Sequence, residues 1–175
     1  MTRADTINRL IVQLRGETQE GRPEQHFVVN RAGEVVSHLV GDTNMVLTGG
    51  IPAALLAGAV TLHQHPGTLN WPPSEDDLVN ALAVGEAQTI IVTSVGIHRL
   101  TGRHPKPAEH DRFAALLEAA QIIETRAARR LGWYGSKEAV PRRLKSRFPE
   151  ALAAELRALA EAYPEFITYR FEPWT

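Results

Sequence analysis

The sequence predicts an α+β fold, a mixed β-sheet flanked by helices with a helical C-terminal extension. Two observations predict it. Over residues 1–104, short β-branched and apolar stretches alternate with helical spacing and are separated by Gly- and Pro-containing loops. From Pro105 onward, residues 105–175 are dominated by Ala-, Leu-, Glu- and Arg-rich segments of helical character.

In order, Ile7, Leu10, Ile11 and Leu14 recur at helical spacing, so a helix is expected over Ala4 to Arg15, with a loop from Gly16 to Pro23. His26 to Val29 and Glu34 to Val40 flank Asn30-Arg31-Ala32-Gly33, whose Asn and Gly suit a tight turn in a β-hairpin. Met45 to Thr48 predicts a strand, Ile51 to Leu56 a short helix, and Ala59 to His65 a strand that Pro66 ends by removing a ladder donor. Ser74 reads as the N-cap of a helix to about Ala87, with Glu75, Asp76 and Asp77 in its first turn. Thr89 to Ser94 and Gly96 to Thr101 are β-rich and predict two strands joined near Val95. Beyond them, helices are expected over Asp111 to Leu131 and Glu150 to Ala162, and a closing strand over Ile167 to Phe171.

Composition narrows the function. The chain has no cysteine, so disulfides, thiolate metal sites and cysteine nucleophiles are excluded, and any metal must be held by His, Asp or Glu. A net charge of −1 with mostly scattered basic residues argues against a nucleic-acid partner. The longest apolar run, Ile51 to Leu62, is too short to span a bilayer. Arg3, Asp5, Arg9 and Arg15 interrupt any secretory signal core, so the expected location is the cytoplasm.

Two histidines at i and i+2 on a strand share a face, which brings His63 and His65 within reach of one ion. Asp77, in the first turn of the helix after a loop, can fold back as a third ligand. Two His and one carboxylate leave a fourth tetrahedral position for water, the arrangement of a hydrolytic zinc site. Each half has an ordinary alternative. A lone His-x-His is usually a surface or structural feature, and Ser74-x-x-Asp77 is also a capping box.

Together, His63-Gln64-His65-Pro66, the seven residues Gly67 to Pro73 and Ser74-Glu75-Asp76-Asp77 resemble the signature of the JAMM (MPN-plus, JAB domain) zinc metallopeptidases, with Trp71 as an aromatic residue shortly before the serine. The resemblance covers roughly Glu20 to Thr101 and implies a JAMM/MPN-like fold. It makes His63, His65 and Asp77 ligands of one catalytic Zn2+, and Ser74 a donor to the oxyanion of the tetrahedral intermediate. It also asks for an upstream glutamate to handle the proton of the attacking water. Among Glu17, Glu20, Glu24 and Glu34, Glu24 is the first choice and Glu20 the runner-up, because Glu34 lies beside the hairpin turn, roughly 20 Å from Glu24 along the strand.

The activity implied is a zinc-dependent isopeptidase or peptidase, deubiquitinase-like, cutting after the C-terminal tail of a ubiquitin-like protein. Similar bacterial proteins accompany ubiquitin-like conjugation enzymes in antiphage defence. The alternatives are a non-catalytic docking module, a phage- or toxin-associated peptidase, and a RadC-like protein, from whose His-Asn-His-Pro-Ser-Gly pattern the chain departs at Gln64, Gly67 and Thr68.

Overall fold

Thr2 and Asp5 cap each other reciprocally, and behind them α1 (Arg3–Gln19) buries Leu10, Ile11 and Leu14 along one side. The computed structural model describes residues 2–41, 50–65, 67 and 70–175. It carries α1 past the expected stop at Arg15 and through Gly16. Thr18 explains the extension: it is buried, and its hydroxyl donates to the Leu14 carbonyl at 2.7 Å, tying down the last turn.

The expected hairpin forms from β1 (Gln25–Val29) and β2 (Val35–Val40). Gly33 in its turn has φ 87°, and a Cβ there would lie 2.8 Å from the backbone of Arg3, so the approach of α1 also demands glycine. The strand expected over Met45 to Thr48 lies outside the described residues. There follow α2 (Ala53–Leu56), β3 (Val60–Gln64), α3 (Glu75–Val84), β4 (Gln88–Val92) and β5 (Gly96–Gly102). The third helix stops short of Ala87 because Gly85 takes the left-handed conformation, φ 70°, and caps it.

The single helix expected over Asp111 to Leu131 is two, α4 (His110–Ala120) and α5 (Ile123–Arg130), parted where Ile122 leaves helical geometry. The break lets α4 pack on α3 while α5 runs along a later helix. The chain then passes through α6 (Arg142–Lys145) and α7 (Phe148–Ala162), the neighbour of α5, to β6 (Ile167–Pro173). Among the described residues no helix is long and apolar enough to cross a membrane.

Among the described residues six strands form one mixed sheet in the order β2-β1-β3-β4-β5-β6, in which β3 and β4 are parallel and the other pairs antiparallel. Alternation along the strands sorts side chains to two faces. On one, Phe27, Val29, Val60, Leu62, Ile90, Val92 and Ile97 pack with Leu10, Ile11 and Leu14 of α1. On the other, Leu100 and Ile167 join α3, α4, α5 and α7 in a second core. The extension therefore shares a core with α3 and supplies the last strand. Cross-strand register sets His26, His63, Ile91, His98 and Phe171 in a row across this second face.

Candidate metal centre

A parallel β3-α3-β4 crossover runs the helix back along the strands, so the N-terminus of α3 sits by the C-terminal end of β3. That apposition brings Asp77 to the histidines. The Asp77 N–H donates to Ser74 Oγ at 3.1 Å, while Asp77 Oδ2 accepts from the Ser74 N–H at 2.8 Å and from its hydroxyl at 2.7 Å. The capping box thus holds the carboxylate in one orientation. Its Oδ1 lies 3.3 Å from His63 Nε2, and its Oδ2 3.7 Å from His65 Nε2. The two Nε2 atoms are 3.2 Å apart. Glu24, His63 and His65 each offer a ligand atom within 4.8 Å of the others, a group that can hold a metal ion.

Glu24 reaches this group because β1 runs antiparallel to β3, with His26 opposite His63. It shares the sheet face of His26 two residues on and is buried. Gln64, fully buried on the opposite face, donates through Nε2 to the Pro23 carbonyl at 3.0 Å and fixes the backbone just before Glu24.

Of the other glutamates, Glu34 is bonded to Asn30 in the hairpin turn, at the far end of β1 from His63. Glu20 pairs with Arg22 on the surface, and Glu17 accepts from Gln13 and Gln25. Only Glu24 of the four joins the histidine group among the described residues.

The centre is charged and largely closed to water. Burial opposes a proton on His63, yet Asp77, and after it Glu24 and Glu86, outweigh burial and hold its pKa above the ordinary value. Burial tends to raise the Asp77 pKa, but His63, His65 and the Ser74 hydroxyl depress it well below the usual carboxylate range. His65 falls to about 4, chiefly through burial and then the neighbouring His63. Glu86 lies behind β3, where burial raises its pKa while Thr61 and Thr89 donate to its Oε2 at 2.5 and 2.7 Å. Excess carboxylate around neutral or shared-proton imidazoles is an environment that favours a divalent cation.

The histidines are oriented differently. His65 Nδ1 lies 3.0 Å from the Trp71 carbonyl, which can only accept, so Nδ1 carries the proton and Nε2 is left bare. His63 Nδ1 has no hydrogen-bond partner among the described residues, and its ring stacks on His26 at 5.6 Å between centroids. His26, driven down to about 3 mainly by burial, is a neutral wall.

The sequence gives His26 and His98 no partner at the spacing that singles out His63 and His65. The structure packs His26 against a candidate ligand and buries His98 completely, with Nε2 2.7 Å from Asn70 Oδ1 and Nδ1 2.8 Å from the Tyr169 hydroxyl. His26, two residues beyond Glu24 on a strand, was the one detectable signal.

No family model, curated protein or solved structure matches the chain.

Proposed function

We propose that this chain is a zinc-dependent peptidase of the JAMM type that cleaves the peptide or isopeptide bond after the C-terminal tail of a ubiquitin-like protein. One observation carries the reading: Nε2 of His63, Nε2 of His65 and the carboxylate of Asp77, through Oδ1 toward one ring and Oδ2 toward the other, come together beside a buried Glu24. Two ligands on a tetrahedral zinc with bonds of about 2.0–2.1 Å lie roughly 3.3 Å apart, which the observed 3.2 and 3.3 Å separations fit. The Ser74-capped helix and the spacing of the histidine motif support the same family.

In this reading His63, His65 and Asp77 hold the metal. Zinc, when bound, acidifies a water and polarises the scissile carbonyl. Glu24 takes a proton from the attacking water and passes it to the leaving amine as the C–N bond breaks, which balances the hydrolysis. Ser74 has a single hydroxyl proton, directed in the resting site at Asp77 Oδ2. Rotation of that hydroxyl would present the proton to the carbonyl oxygen as negative charge develops, where one donor is worth about 3–4 kcal/mol. Burial of His63, Glu24 and the Gln64 backbone anchor keeps bulk water from screening these charges.

The test is metal analysis of the purified protein together with hydrolysis of a linear fusion carrying a ubiquitin-like tail. About one equivalent of zinc, with activity lost to a chelator and restored by zinc, is the expected result. Activity that persists in fully metal-stripped protein removes the reading, and zinc-replete protein that takes up no metal favours a docking module.

A further inference from the structure

We propose that the buried His98–Asn70 pair is a positioning device that fixes the tautomer of His65, and that the C-terminal extension reaches the metal centre through it. The proposal rests on the metallopeptidase reading and concerns how one candidate ligand is kept ready to bind.

His98 stands on β5, in register with Ile91 of β4 and, one strand further, with His63. It faces the loop that joins the histidine strand to α3. Asn70 Oδ1 can only accept, so His98 Nε2–H donates to it at 2.7 Å. His98 Nδ1 is then bare and accepts from the Tyr169 hydroxyl of β6 at 2.8 Å. Thr93 Oγ lies 3.0 Å from the same Asn70 oxygen, giving it a second anchor on the strand end of β4. The Tyr169 and Phe171 rings lie against the imidazole, at 5.9 and 4.7 Å between centroids. Burial holds its pKa near 3, so it stays neutral and keeps one donor and one acceptor.

Asn70 is the residue before Trp71, whose carbonyl takes the Nδ1–H of His65 at 3.0 Å. The Trp71 ring is itself held by the extension, 5.9 Å from Phe148 of α7. Asn70 and Trp71 are thereby held from both sides, and loss of the His98 bond would remove one of the anchors that keep the carbonyl on the imidazole. Released, the carbonyl would let the His65 proton move to Nε2, the atom that must be bare to bind metal. Outer partners of this kind typically change metal affinity about 10- to 100-fold when removed.

The experiment uses the full chain with three substitutions: Asn70→Leu, Asn70→Asp and Tyr169→Phe. Two readouts are taken at neutral pH: cobalt(II) titration followed by visible absorption, and the 15N ring shifts of His65 in metal-free protein. In the unsubstituted protein His65 should be the single Nδ1–H tautomer. Asn70→Leu should give a tautomer mixture and cobalt binding weakened about 10-fold or more. Asn70→Asp, which keeps the acceptor, should restore both. Tyr169→Phe keeps the ring stack and the fold, and should shift the His98 ring and, through it, the His65 tautomer populations. A single Nδ1–H tautomer with undiminished cobalt affinity in Asn70→Leu, or in Tyr169→Phe should the leucine variant not fold, overturns the proposal, as does failure of the aspartate to rescue. If the unsubstituted protein takes up no cobalt, the metallopeptidase reading falls, and the ring shifts still decide the role of His98.

Discussion

Lys137 Nζ lies 2.8 Å from the Glu75 carboxylate and 3.3 Å from that of Glu124, while Glu124 Oε1 accepts the backbone N–H of Glu75 at 3.0 Å. A residue of α5 thus caps the first turn of α3, next to Ser74, and one ammonium neutralises the two carboxylates. Replacing it by methionine leaves them facing each other, half-buried, so Lys137→Met should lower unfolding stability by about 1–2 kcal/mol, discounted for partial exposure. Adding Glu124→Gln should recover part of that loss. Denaturant unfolding of the two variants measures it, and a silent Lys137→Met would show the clasp to be ornamental.

Acid sensitivity follows from His98. Its folded pKa lies near 3 against an ordinary 6.5, because burial disfavours the charged ring. The unfolded chain therefore binds the extra proton first, and stability falls as pH drops below about 6.5, continuing to fall until about 3. The contribution is on the order of 5 kcal/mol across that window. His98→Phe keeps an aromatic ring against Tyr169 and Phe171 and should fold less stably but with a shallower pH slope. Equal slopes for both proteins, measured by denaturant unfolding at a series of pH values, would contradict this assignment.

Metal binding should compete with a proton at His63. That pKa is held above its ordinary value because Asp77, Glu24 and Glu86 together outweigh burial. A metal ion and a proton compete for the ring, so zinc affinity should fall as pH drops through the raised pKa, by about tenfold per pH unit below it for one proton. Calorimetry in buffers of different ionisation enthalpy reads the proton count directly. Zinc affinity that does not weaken in acid would count against His63 as a ligand.

Glu24 and Ser74 are separable by paired measurements. Glu24→Gln should keep zinc and lose hydrolysis by about 100-fold or more, since the amide cannot accept the water's proton. Loss of zinc in that variant would instead move Glu24 into the ligand set, a role its place beside both histidines also permits. Ser74→Ala should cost about 1 kcal/mol of helix capping and about 100-fold in turnover while keeping the metal. Full turnover in a destabilised Ser74→Ala protein would leave the serine as a cap alone.

Local pattern made the hairpin, the histidine strand and the Ser74 helix legible, because each depends on residues close in sequence. Asp77 and the two histidines were legible for the same reason, through one short loop. The break at Ile122 was not: Phe113, Leu116, Ala120, Ile123 and Ala127 continue one helical stripe across it, and neither Gly nor Pro marks the spot. Gly16 misled in the opposite sense, since a buried Thr18 carries the helix through it. His98 was out of reach because its meaning depends on the register of β3 with β4 and of β5 with β6, and register is a property of pairing. Gln64 showed only as a spacer between histidines until the sheet put Pro23 on its other side.

The placement of β6 has a consequence for how the molecule comes into being. Its partner β5 is made well before it, with α4, α5, α6 and α7 synthesised in between. A nascent chain that has completed everything up to α7 would still present β5 as an open edge, able to pair with a neighbouring chain, and would lack Tyr169 behind His98. Closure of the sheet is a late, long-range step that should slow folding and lengthen the time for which that edge stays open.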